Sequence, residues 1–128
     1  MQDAAVISIV DDDESSRAGT AQLVRALGFA ARDFASARAF LQSQHVTETL
    51  CLIADVHMPD VNGIQLLDTL RALGHNLPTI FITAFPNERS RAEALSRGAI
   101  CFLIKPFDGE TLERCIKAAL KSDSGKSN

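Results

Sequence analysis

Apolar residues gather into short runs along this chain, and four of the runs end on a polar side chain. Residues 6–10 (VISIV) precede Asp11, Asp12 and Asp13, and residues 50–54 (LCLIA) precede Asp55. Residues 79–82 stop at Thr83, and residues 100–104 stop at Lys105 and Pro106. Near-continuous apolar runs of this length read as parallel strands covered on both faces. A fifth run, 29–34, contains Arg32 and Asp33 and reads as an edge strand.

Between the runs, apolar residues recur at helical spacing. The first helix is predicted over 14–27, with a stripe at Leu23, Val24 and Leu27 and Gly28 as its stop. The second, 37–44, follows Ser36 as N-cap and buries Phe40 and Leu41. The third, 64–73, presents Leu66, Leu67, Leu70 and Leu73 before Gly74. The fourth, 87–97, is weakly patterned, with Ala92 and Leu95 as its main apolar contacts before Gly98. In the fifth, 109–121, Leu112, Cys115, Ile116, Ala119 and Leu120 form a regular stripe.

Five alternations of strand and helix imply one α/β domain over 1–121, a parallel sheet with right-handed crossovers. A flavodoxin-like, doubly wound (βα)5 sheet of order 2-1-3-4-5 fits, because it puts the charged second strand at an edge. Its switch point then falls between strands 1 and 3, which carry the two acidic sites. Ligands of open α/β sheets bind at such a point, beyond the carboxyl ends of the strands. Residues 122–128 are polar and are expected to form a disordered tail.

Composition narrows the field further. The chain has 128 residues, 46% apolar and 23% charged, as an ordinary soluble globule has. A net charge of −3 predicts no broad attraction to nucleic acid or anionic lipid. No apolar stretch approaches the roughly 20 residues of a membrane span, and residues 1–5 do not resemble a signal peptide. A cytoplasmic location is expected. Cys51, Cys101 and Cys115 contain no CxxC pair and read as buried small hydrophobes. His45, His57 and His75 lack zinc-ligand spacing.

The run ends bring a particular chemistry together. Asp12 and Asp55 can offer carboxylates to a magnesium-like cation, with Asp11 acting through water. Three close carboxylates repel one another, which raises at least one pKa until a cation neutralises them. Asp13 is in place to cap the first helix. Asp55 directly follows an apolar strand, and carboxylates there can act as nucleophiles that form aspartyl phosphates. Phosphoryl transfer needs positioning and charge neutralisation, which Lys105 and a metal would supply, while Thr83 can donate to a phosphate oxygen.

Val10-Asp11-Asp12-Asp13, Asp55 followed by Met58-Pro59-Asp60 and Gly63, Thr83-Ala84, Gly98-Ala99 and Lys105-Pro106-Phe107 resemble the receiver domain of two-component response regulators. The likeness runs from about residue 6 to residue 120. It implies a phosphoacceptor at Asp55, supplied by a histidine kinase or phosphotransfer protein. It implies Mg²⁺ organised by Asp11, Asp12 and Asp55, with the backbone carbonyl of His57 completing the set. By the same resemblance Lys105 contacts the phosphoryl group and the Lys105–Pro106 bond is cis. Thr83 and Phe102 match the switch pair, which would reshape the face of the fourth helix, fifth strand and fifth helix for a downstream partner or self-association. His57 and Phe85, two residues beyond Asp55 and Thr83, stand where members vary and phosphate lifetimes vary with them.

Residues 83–86 (TAFP) are also similar to receivers of nitrogen-fixation and LuxR-type regulators, which usually carry a DNA-binding domain. Both a stand-alone receiver and the input domain of such a regulator fit, and the polar tail favours the former. A haloacid-dehalogenase-type phosphatase would need an aspartate where His57 stands, and a nucleotide switch would need a GxxxxGK loop.

Overall fold

The computed structural model describes residues 5–126. Its elements alternate strictly: β1 Val6–Val10, α1 Glu14–Ala26, β2 Ala30–Phe34, α2 Ala37–Leu41, β3 Cys51–Asp55, then α3 Gly63–Ala72, β4 Thr79–Thr83, α4 Glu88–Ser96, β5 Cys101–Ile104 and α5 Gly109–Lys126. All neighbouring strands pair in parallel, in the order β2-β1-β3-β4-β5. This is the flavodoxin-like arrangement expected, with the charged β2 at an edge.

Alternation within the apolar runs explains the two covered faces. Ile7, Ile9, Cys51, Ile53, Ile80 and Ile82 pack toward α1 and α5 with Val24, Leu112 and Ile116. Val10, Leu52, Ala54 and Phe81 turn to the other face, with Phe40, Leu66, Leu67 and Leu70 of α2 and α3. Most of these side chains are inaccessible to water, and each such burial stabilises by about 1.5–3 kcal/mol. Ser8 breaks the apolar run of β1 at no cost in unpaired groups. Its hydroxyl donates to Thr49 Oγ1 at 2.6 Å, and Thr49 donates to the carbonyl of His45.

Helix starts are set by side-chain caps. Asp13, Ser36 and Asn87 each accept a backbone N–H at the start of α1, α2 and α4. Asn62 and Gln65 form a reciprocal capping box on α3. The expected stops Gly28, Gly74 and Gly98 take φ of 98°, 90° and 81°, a region that residues with a Cβ rarely enter.

Three details differ from the sequence expectation. In α4 the buried residue is Ala94, while Ala92 is exposed and Leu95 is 44% exposed. The Asn87 cap fixes where this helix starts, and packing on the sheet fixes which face it buries, since its own pattern is too weak to do so. Helix α2 ends at Leu41, three residues early, where Ser43 bonds back to the Phe40 carbonyl through its hydroxyl. Helix α5 continues past 121 to Lys126, overlapping the expected polar tail, and residues 127 and 128 lie outside the described residues. No helix among the described residues is long and apolar enough to cross a membrane.

Candidate functional site

Strand register collects the chemistry at one edge. Val10 pairs with Ala54, so Asp11 and Asp55 follow side by side at the carboxyl ends of β1 and β3. Asp55 pairs with Ile82, and Thr83 pairs with Ile104, which sets Thr83 and Lys105 just beyond. The Lys105–Pro106 peptide bond is cis, as the resemblance implied.

Lys105 joins two strands electrostatically. Its Nζ donates to Asp55 Oδ2 at 2.7 Å and to Asp11 Oδ2 at 3.0 Å. The three groups are buried or nearly so, so their attraction is screened far less than at a surface. Burial works to lower the ammonium pKa, but bonds to the two carboxylates outweigh it and hold the pKa above the ordinary lysine value. Lys105 is therefore charged at neutral pH.

The two buried carboxylates part company. Burial raises both, yet Asp11 also accepts from the Ser16 hydroxyl at 2.6 Å, from the Asp13 N–H at 3.0 Å and from Lys105. Those donors win, and Asp11 lies below the usual carboxylate range. For Asp55 burial wins. The bonds from Lys105 and from the His57 N–H (2.9 Å) only partly offset it, and the nearby charge of Asp11 adds to the rise. The repulsion expected from sequence is thus present, but burial is the larger cause. Asp55 is left as the under-neutralised carboxylate of the pair.

Oxygen atoms of Asp11, Asp12 and Asp55 all lie within 4.8 Å of one another. An all-oxygen set with one exposed member, Asp12, fits a hard divalent cation that keeps several waters. Asp13 does not join it, since its carboxylate accepts from the Ser16 N–H at 2.7 Å and caps α1. Gly63 stands where an added Cβ would overlap the Asp55 carbonyl oxygen and crowd the Phe81 ring at 3.2 Å. Only a glycine lets α3 start this close to the site.

A cleft of ≈ 410 Å³ opens over these groups, with Asp12, Asp55, His57, Phe85 and Lys105 among its walls. His57 Nε2 lies 3.1 Å from the Phe85 carbonyl oxygen, which can only accept, so the ring donates across the cleft. Phe85 is 71% exposed, and its ring meets the imidazole edge-on. Thr83 is fully buried, and its Oγ1 accepts the Phe85 N–H at 3.0 Å. Phe102 is half-buried on the face shared with α3 and α4.

Two participants were not anticipated. Ser16 holds Asp11, and Arg17 donates to the Asp11 carbonyl at 2.9 Å. Their only signal in the sequence is their place one turn into the helix that follows the acidic triplet. The cysteine reading needs a correction. Cys51 is a buried free thiol pushed up to about 12 by burial, but Cys101 and Cys115 are joined as a disulfide. Packing of α5 on β5 brings those two together, and sequence spacing alone does not disclose it.

A parallel sheet whose carboxyl edge gathers an acidic cluster, an ammonium and a hydroxyl fits the receiver class that the sequence resembles. A family profile described as "Response regulator receiver domain" matches residues 7–117, and the chain belongs to that family. It is 38% identical over 118 residues to the response regulator protein TodT of Pseudomonas putida, covering 92% of this chain and 52% of that protein. It is 32% identical over 120 residues to the transcriptional regulatory protein FixJ of Azorhizobium caulinodans, covering 94% and 57%. The chain thus spans about half the length of these curated relatives. The crystal structure of FixJ-N superposes with a TM-score of 0.83 at 35% identity, covering 94% of this chain and 96% of that one. The response regulator StyR gives 0.82 at 33%, covering 97% and 63%.

Proposed function

We propose that the chain is a phosphoacceptor switch in which Asp55 takes a phosphoryl group from a histidine kinase or phosphotransfer protein in the cytoplasm. The observation that carries this reading is the state of Asp55. Its carboxylate ends a fully buried central strand, faces an open cleft, and has Lys105 at 2.7 Å.

An Asp55 oxygen attacks the phosphorus of a phosphohistidine, and the P–N bond breaks. The leaving imidazole keeps the bonding electron pair and takes up a proton. Lys105 moves its bond from carboxylate to phosphoryl oxygen and neutralises charge there. Asp11, Asp12, Asp55 and the His57 carbonyl would hold Mg²⁺, which supplies further charge neutralisation when bound. Ser16 and the Asp13 N–H keep Asp11 ionised for that task.

For the switch, the Thr83 hydroxyl leaves the Phe85 N–H and donates to the phosphoryl group, and Phe102 turns into the space vacated. Leu95 and Ile104, 44% and 53% exposed, give the face of α4, β5 and α5 an apolar surface for a downstream protein or a second copy. Around the phosphoryl group, the His57–Phe85 bond keeps a phenyl ring, which cannot orient water, at the mouth of the cleft. Both residues therefore set the lifetime of the phosphorylated state.

One assay tests the set. Acetyl phosphate with Mg²⁺ should add one phosphoryl group, read by intact mass, and Asp55→Asn should take none. Label in Asp55→Asn would reject the acceptor. In the same assay Phe85→Ala and Phe85→Asn should lose label faster than the wild type, and unchanged rates would remove Phe85 from the lifetime.

A further inference from the structure

Cys101 on β5 and Cys115 on α5 each sit in the packing between sheet and helix. Cys101 pairs in register with Ile80. Cys115 lies on the buried stripe of α5 beside Leu112 and Ile116. Strand and helix pack through this shared cluster, which leaves the two Cα atoms 6.1 Å apart, inside the usual window for a disulfide. The reduced thiols would already face each other, so closing the bond demands no backbone rearrangement.

The bridge also brackets the working segment. Its two cysteines are 14 residues apart, and the enclosed stretch holds Phe102, Lys105 and Phe107. Cys101 is half-buried, whereas the third cysteine, Cys51, is a fully buried free thiol. Disulfides in reducing compartments are mostly transient or redox-sensing.

We propose that Cys101 and Cys115 form a reversible thiol–disulfide site through which a low-molecular-weight disulfide clamps β5 onto α5 and holds the unphosphorylated arrangement. The Cys101 thiolate attacks the small disulfide, forming a mixed disulfide and releasing one small thiolate. The Cys115 sulfur then displaces the second. Two electrons pass from the protein to the small disulfide, and the two thiol protons end on the two released thiols. Reduced small thiol reverses both steps.

The clamp acts through differential fit. It matches the separation seen here, so any arrangement that shifts β5 against α5 is disfavoured while the bond is closed. This consequence rests on phosphorylation at Asp55, whereas formation of the bond does not.

The test uses the full chain equilibrated with oxidised or reduced glutathione, then unfolded in acid, alkylated with N-ethylmaleimide and weighed. Three adducts are expected after reduction and one after oxidation. Cys101→Ser should never show the loss of two hydrogens that marks the internal bond. Three adducts after oxidised glutathione, or a bond that millimolar reduced glutathione fails to open, would overturn the site. In a second arm, acetyl phosphate and Mg²⁺ are added to both forms, followed by amide exchange of the segment 101–107. The oxidised form should lose most of the exchange response that the reduced form shows. Equal responses would overturn the clamp. A reduced protein that takes no phosphoryl group would instead reject the Asp55 reading, and the adduct count would still decide the redox site.

Discussion

Asp11 and Asp55 have the same side chain, similar burial and a shared lysine, yet their pKa values move in opposite directions. The difference comes from the number of donors. Asp11 has the Ser16 hydroxyl and the Asp13 N–H in addition to Lys105, and Asp55 has only the His57 N–H. A lowered folded pKa stabilises the fold above the unfolded value, near pH 4, and this contribution fades as pH falls through the folded value. Ser16→Ala removes a charge-assisted bond and should cost about 1.5 kcal/mol at pH 7. The difference between variant and wild type should be smaller at an acid pH below the folded value of Asp11, where its carboxyl is protonated in both, than at pH 7. Urea unfolding at the two pH values checks it, and an equal loss at both would show that Ser16 does not act through the charge of Asp11.

At the scale of elements, α4 is held least firmly. It buries only Ala94 among its residues, and its end is tied down by an exposed pair, Arg97 with Asp68 at 2.8 Å. Exposed pairs of this kind are worth about 0–1 kcal/mol, so α4 can shift at little cost, as the proposed switch requires. By contrast β3 and β4 are buried along their whole length. Phosphorylation should therefore change amide exchange most in α4 and β5 and least in β3. Thr83→Ala should keep the phosphoryl group and lose that distant response. A wild-type response confined to the surroundings of Asp55 would rule out Thr83 and Phe102 as couplers.

Across the whole molecule, the acidic site is a local weakness. Burial raises the pKa of Asp55, and one ammonium serves two buried carboxylates. A cation that binds only the folded site adds stability by mass action, about 1.4 kcal/mol at tenfold excess over its dissociation constant. For a chain of 128 residues that is a rise in Tm of about 5 °C. Mg²⁺ titration in a thermal melt should show it, and Asp12→Ala should show much less. An undiminished rise in Asp12→Ala would place the cation elsewhere.

How much of this was legible in the sequence follows from the range of each interaction. Apolar runs, helical stripes and stop glycines are local patterns, and they sufficed for five strands, five helices and the strand order, with the charged run at an edge. Run ends marked Asp11, Asp12, Asp55, Thr83 and Lys105, because parallel strands deliver their carboxyl ends to one side. Register decided what pattern could not: that Lys105 spans Asp11 and Asp55, and that Gly63 abuts the Asp55 carbonyl. The phase of α4 and the burial of Ala94 in place of Leu95 also needed the packed sheet, since nine residues with little periodicity do not define a face. The Cys101–Cys115 bond depends on the distance between side chains of β5 and α5, and the donation from Ser16 to Asp11 on how the loop after β1 turns into α1. Such distances exist only once the chain has folded, because helix and strand periods say which face a residue takes but not what lies opposite it.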